Sequence, residues 1–192
     1  MQRQRELLKR LREPRIAAVV GIGIAIVVVG LFLLLSGDDN GGESSPAGPA
    51  PTNGFQTTSE QGLRDLAGSV DHPVYWVGAR AGMHYQMQVA QQGNIQIRYV
   101  DPKIPANAQS VASLTIGTYP VANAYTNTKV LGNESGVKTG ETPDGGFVVT
   151  SPDRPQSVYI AFPGKDQQIE VYDPDPKTAF SLATSGAVVP IS

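Results

Sequence analysis

The chain contains no cysteine. That excludes thiolate zinc sites, thiol redox chemistry and a cysteine nucleophile. It also excludes disulfides, so an exported domain of this sequence is held by its core alone. Histidine is nearly as scarce, with only His72 and His84. Nucleophilic catalysis needs a Ser, Thr or Cys beside a base, and no G-x-S-x-G turn accompanies these two residues. His72 sits beside Asp71 and before Pro73, where a junction residue bonded to its own neighbours is expected. His84 shares a face with Gln86 and reads as solvated. No phosphate-binding loop or dinucleotide fingerprint occurs. We expect no metal and no cofactor, and no enzyme activity is legible. Asp173-Pro174-Asp175 opens like a calcium loop but continues Pro-Lys-Thr without the remaining ligands. Paired carboxylates of the glycosidase kind depend on separation in space, which a sequence does not display.

Charge is scarce in one segment and lopsided around it. Ile16–Leu35 has no polar or charged side chain, and fourteen of its twenty residues are Ile, Val, Leu or Phe. At 1.5 Å per residue such a run spans about 30 Å, the thickness of a bilayer's hydrocarbon core. Ahead of it lie six basic residues (Arg3, Arg5, Lys9, Arg10, Arg12, Arg15) against Glu6 and Glu13. From Ser36 onward there are nine basic and fifteen acidic residues, so the net charge of −2 hides a basic tail and an acidic remainder. Lys and Arg flanking a membrane helix mark its cytoplasmic side. A cleaved signal peptide has a shorter apolar region followed by a small-x-small site; this run ends Leu33-Leu34-Leu35. The expectation is therefore an uncleaved signal-anchor in the cell membrane, single-pass, with residues 1–15 cytoplasmic and residues 16–35 in the bilayer. Ala17, Gly21 and Ala25 have the spacing that lets two such helices pair closely, a route to a weak homodimer. An acidic domain argues against nucleic acid as a partner.

Beyond the apolar run, residues 36–57 are rich in Gly, Ser and Pro and read as a flexible linker. The folded domain is expected over residues 58–192, as α+β with a mainly antiparallel sheet and two or three helices. Thr58 and Gln61 have capping-box spacing, and Leu63, Leu66, Ala67 and Val70 repeat with helical period. Val74–Gly78 and Val158–Phe162 are apolar on both faces, which predicts two central strands. His84–Val89 and Ile95–Val100 alternate around a turn at Gln91–Asn94. Leu114–Tyr119 predicts a further strand, and Val121–Leu131 a helix opening after Pro120. Val137–Thr139 and Phe147–Thr150 flank a turn, Ile169–Tyr172 alternates, and Val188–Ile191 is a closing strand. Asp175 as N-cap, Pro176 at the first helical position and Gly186 past the end mark the last helix. Val74-Tyr75-Trp76 and Tyr85–Val89 echo Val158-Tyr159-Ile160 and Gln167–Val171, which raises an internal duplication.

The alternation puts Gln86, Gln88, Gln96 and Arg98 on an outward polar face. Amides and a guanidinium suit polar ligands, so these four are the candidate binding residues. Trp76 is read as core.

His72–Gly78, Ile97–Val100, Gly117–Pro120 and Ser157–Gly164 resemble an uncharacterised group of single-pass membrane-anchored extracytoplasmic proteins of high-GC Gram-positive bacteria. No activity is assigned to that group, so the resemblance implies an envelope-facing bacterial protein and carries no catalytic residue across. The reading is an extracytoplasmic binding or interaction module at the cell envelope, with an envelope protein or polymer as partner. The alternatives are an envelope hydrolase with an unrecognised carboxylate or histidine site, and a structural accessory subunit of a membrane complex.

Overall fold

The hairpin expected from alternation forms in register. In the computed structural model, which describes residues 48–109 and 111–192, β3 (His84–Val89) pairs antiparallel with β4 (Ile95–Val100) from His84↔Val100 to Val89↔Ile95. The turn between them places Gln92 and Gly93 at φ of 64° and 73°. Around this pair grow β1 (Gln56–Thr58), β5 (Thr115–Pro120), β6 (Lys138–Glu141), β7 (Phe147–Thr150), β8 (Ser157–Ala161) and β9 (Gln167–Tyr172). They make one eight-stranded sheet in the order β1-β3-β4-β5-β9-β8-β7-β6, antiparallel at every pairing. The chain is α+β, as expected.

A strict period of two gives this sheet two chemically different faces. Ile95, Ile97, Ile116, Val148, Ile160 and Ile169 stand on one face, all fully buried. Each such side chain contributes roughly 1.5–3 kcal/mol by leaving water. Three elements cover this face: α1 (Glu60–Gly68) through Leu63 and Leu66, α3 (Pro176–Thr184) through Ala179 and Ala183, and a ribbon of β2 (Tyr75–Trp76) with β10 (Val189–Pro190). The opposite face is polar. There α2 (Ala124–Gly132) covers the β7–β9 side, with Ala124 and Thr128 inward. The segment 101–109 lies over the β3–β4 side, bonded to Gln86 and Arg98.

Several expectations shift. Val74–Gly78 is not a central strand: β2 lies outside the main sheet and pairs with β10. It is apolar on both faces because it is sandwiched. The Tyr75 N–H donates to Thr118 Oγ1 at 3.0 Å and its ring stacks on Phe162. Trp76, buried as expected, lies under the Arg64 guanidinium. Val158–Phe162 does supply a central strand, β8, buried at every position. The first helix is capped by Ser59, whose Oγ accepts from the Gly62 N–H, because Thr58 is held in β1. Pro120 closes β5 and does not open α2. The Val121 N–H donates to Asp166 O, so the helix begins only at Ala124 after Asn123 at φ 57°. The last helix is as read: Asp175 accepts from the Lys177 N–H and Gly186 follows the end at φ 79°.

The linker boundary at residue 57 also moves. Phe55 is buried, Gln56–Thr58 are sheet residues, and the Thr52 N–H donates to Val89 O at 2.8 Å. Phe55 is the one large apolar side chain in that stretch, and it pins the segment from about Thr52 onward. The echoed stretches fall in unlike places, β2 outside the sheet against β8 in its centre, and α2 and α3 lie on opposite faces. Neither observation supports the duplication. The membrane run Ile16–Leu35, with Ala17, Gly21 and Ala25, lies outside the described residues. Among the described residues no helix is long and apolar enough to cross a membrane.

Candidate functional site

Two rows of side chains cross the polar face, each set by strand register. The first runs Gln88–Gln96–Gly117–Glu170–Tyr159 across β3, β4, β5, β9 and β8. The second runs Gln86–Arg98–Thr115–Tyr172–Ser157 across the same strands. All four expected binding residues therefore do share one face, two in each row. Their exposure differs from the expectation.

Gln86 and Arg98 do not face solvent. Gln86 is 0 % exposed and Arg98 4 %. Gln86 Nε2 donates to Ala106 O at 2.7 Å and Ala108 O at 2.8 Å, strapping the 101–109 segment onto the sheet. Arg98 Nη1 donates to Gln86 Oε1 and to Gln109 O, and its guanidinium lies 3.5 Å from the centre of the Phe55 ring. Burial lowers the Arg98 pKa. Alternation identifies a residue's face; here that face is roofed by a segment remote in sequence.

The Gln88–Gln96 end of the first row is more open than the Gln86–Arg98 end of the second. Gln88 and Gln96 are half-buried, while Glu170 and Tyr159 further along the same row are buried. At its centre Gly117 leaves room for the ring of Tyr119, the next residue on that face. A Cβ on Gly117 would come within 2.4 Å of the Tyr119 oxygen. Tyr119 in turn donates to Glu170 Oε2 at 2.8 Å and accepts from Gln96 Nε2 at 3.1 Å, while the Tyr159 hydroxyl reaches Glu170 Oε1 at 3.4 Å. Burial first, and the Glu170 carboxylate second, push both phenols above their ordinary pKa. They stay protonated donors at neutral pH. Each carboxylate oxygen keeps a second lone pair after accepting a phenol. Glu170 is 8 % exposed and both phenols are buried, so the half-buried Gln88 and Gln96 amides are the donors and acceptors at the rim and the carboxylate anchors them from below through Tyr119. Glu170 belongs to no histidine or paired-carboxylate pattern in the sequence. The Ile169/Val171 alternation in β9 already assigned it to the polar face.

The remaining candidates behave as local structure. The two ring nitrogens of His72 lie 3.2 Å from Pro73 O and Gly93 O, which makes it a junction residue. His84 is half-buried at the start of β3. Asp175 caps α3 through Lys177 and Thr178. Among the described residues no three His, Asp or Glu side chains group to hold a metal ion. A cleft of about 170 Å³ opens beside the start of α2, between Asn123, Tyr125 and Thr126 and the Pro163–Asp166 turn. Asp166 Oδ1 already accepts from the Asn123 N–H there. No family model matches the chain, and no curated protein or solved structure matches it.

Proposed function

We propose that this protein is a membrane-tethered extracytoplasmic binding module that recognises its partner with the half-buried Gln88–Gln96 end of the polar sheet face. The observation that carries the reading is the chain of bonds from half-buried Gln96 through Tyr119 to Glu170. It holds an amide and a carboxylate in fixed positions beside Gln88 on a rigid sheet. Preorganised polar groups lower the ordering cost of binding. A carboxylate with two amides suits a ligand rich in hydroxyl, amide or amino groups, such as an envelope polymer or the polar surface of an envelope protein. The basic tail and the apolar Ile16–Leu35 run support the tether, the orientation with the C-terminal domain outside, and the bilayer as a partner. The resemblance to membrane-anchored envelope proteins agrees with both.

The test uses the full-length protein on intact cells. A photo-crosslinking residue at Gln88 should capture a specific envelope component, and one at exposed Asp65 on α1 should not. Glu170→Gln, which keeps the shape and removes the charge, should reduce capture about tenfold or more, the scale of a hydrogen bond to a charged group. The double change His72→Gln with His84→Gln should leave capture intact. Equal capture from both positions, or a turnover of envelope material that vanishes in the histidine double variant while the fold persists, would move the reading to the hydrolase.

A further inference from the structure

The chain is held on both sides of Asn53. Ahead of it the Thr52 N–H donates to Val89 O at 2.8 Å, and the Val89 N–H donates back to Thr52 Oγ1 at 3.1 Å. Behind it Phe55 is buried, Gln109 Nε2 donates to Phe55 O at 3.0 Å, and Gln56 pairs with Met87 in β1. Asn53 itself is exposed, and its side-chain amide bonds to no described residue. Gly54 follows at φ 71°, where a Cβ would lie 2.9 Å from Gln109 Oε1, so the fold requires glycine there. The Gly54 N–H has no acceptor among the described residues. Asp144-Gly145, the comparable step elsewhere in the domain, is the reverse case. Its Gly145 N–H donates to Thr142 O at 3.0 Å, and Thr142 Oγ1 holds Asp144 Oδ1 at 2.6 Å.

We propose that Asn53 is a site of spontaneous deamidation, and that the isoaspartate formed there loosens the strand by which the chain enters the domain. The two reacting groups are adjacent and neither is engaged elsewhere. The Gly54 nitrogen attacks the carbonyl carbon of the Asn53 side chain and a C–N bond forms. The side-chain nitrogen leaves as ammonia, carrying the proton that Gly54 gives up, and a succinimide ring results. Glycine has no Cβ to crowd this attack. Water then adds to one of the two ring carbonyls. Opening at one leaves aspartate in an ordinary main chain. Opening at the other leaves isoaspartate, whose main chain runs through the former side chain. That main chain is longer by one carbon, about 1.5 Å. Thr52 and Gln56 are both held on β3, so the longer chain fits only if the Thr52 bonds or the seat of Phe55 give way. Phe55 lies 3.5 Å from the buried Arg98 guanidinium, and moving it uncovers that cation.

The experiment ages the full-length protein in detergent at neutral pH and physiological temperature. Cleavage at glutamates isolates the peptide Ser44–Glu60, which contains Asn53 and excludes Asn40-Gly41. Mass spectrometry follows conversion of the amide to the acid, and isoaspartyl methyltransferase labelling counts isoaspartate. A synthetic peptide of the same sequence gives the rate without a fold. Asn53 in the protein should react within about tenfold of that rate; a slower reaction overturns the proposal, because the fold then protects the site. Aged protein rich in isoaspartate should unfold about 2–4 °C lower than fresh protein. Asn53→Gln has a longer side chain that would have to close a six-membered ring, and should keep both its mass and its midpoint when aged alongside. Asn40-Gly41 ages in both proteins, so their difference reports Asn53. Freshly made Asn53→Asp carries the new charge on an ordinary main chain and should unfold as the wild type does, an exposed and unbonded side chain having little effect. The loosening is overturned if isoaspartate accumulates without lowering the midpoint, or if Asn53→Gln or Asn53→Asp falls equally.

Discussion

Gly117 is where one absent side chain decides a site. Its place on β5 lets the Tyr119 ring lie across the sheet and reach Glu170, and a Cβ there would sit within 2.4 Å of the phenol oxygen. Gly117→Ala should expel that ring and lower stability by about 1–3 kcal/mol, the usual cost of overpacking. Denaturant titration checks the loss, and the Gln88 crosslink should weaken with it. Trp76, buried against α1 and the sheet, should cost about 3–5 kcal/mol when changed to Ala; unchanged stability with lost capture would make it a ligand-stacking residue instead. The tyrosines also set an alkaline limit. Burial pushes the Tyr99 phenol up to about 12 from 10.0, and Tyr119 and Tyr159 shift the same way. The folded state thus holds these protons more tightly than the unfolded chain. The stabilisation is complete below pH 10 and is lost as pH rises through 12 and beyond. Denaturant midpoints should fall from about pH 10 upward, and Tyr99→Phe should flatten part of that fall.

The three helices test how much a local signal is worth. At α3 every cue agrees: Asp175 caps, Pro176 opens and Gly186 ends the helix. Asp175→Ala removes the cap bond to Lys177 N–H and should destabilise the fold, read as a fall of the denaturant midpoint without a change of slope. At α2 the cues disagree. Asn123 sits in the left-handed region at φ 57° and its side chain makes no cap bond. Asn123→Gly should therefore be neutral or stabilising by up to about 1 kcal/mol, and Asn123→Val destabilising, because a β-branched residue resists that conformation. A clear loss of stability in the glycine variant would show that the Asn side chain matters in a way the hydrogen bonds do not reveal. Pro120 misleads at this helix for a tertiary reason. The following N–H is taken by Asp166 O from the β8–β9 turn, which holds Val121 against the sheet, and a turn closed by the Ala124 N–H on Val121 O then leads into the helix.

At the scale of the whole molecule, the proposed tether makes an expectation of its own. Protein recovered from membranes should have a mass that includes Ile16–Leu35, and a mature N-terminus near Ser36 would replace the anchor with a cleaved signal. Changing Arg10, Arg12 and Arg15 to Glu should weaken or invert insertion, read by a reporter fused after Ser192, since basic residues beside the helix choose its cytoplasmic end.

What the residues determined unaided was short in range. Alternation assigned Ile97 and Ile169 to one face and Gln96 and Arg98 to the other, because successive side chains in a strand point to opposite sides whatever lies around them. The Asp175–Pro176 start of α3 was legible for the same reason: a cap is a bond between near neighbours. Only the tertiary structure decided which face stays open. Gln86 and Arg98 looked solvated by pattern, yet Phe55 and the 101–109 segment cover them. β2 looked central by its hydrophobicity, yet it is buried beneath the sheet beside β10. Glu170 became part of a site only when β5, β8 and β9 brought Tyr119 and Tyr159 to its two oxygens. These outcomes rest on contacts between residues distant in sequence, from Arg98 with Gln109 to Trp76 with Val189, and no local period records which distant segment will close over a strand.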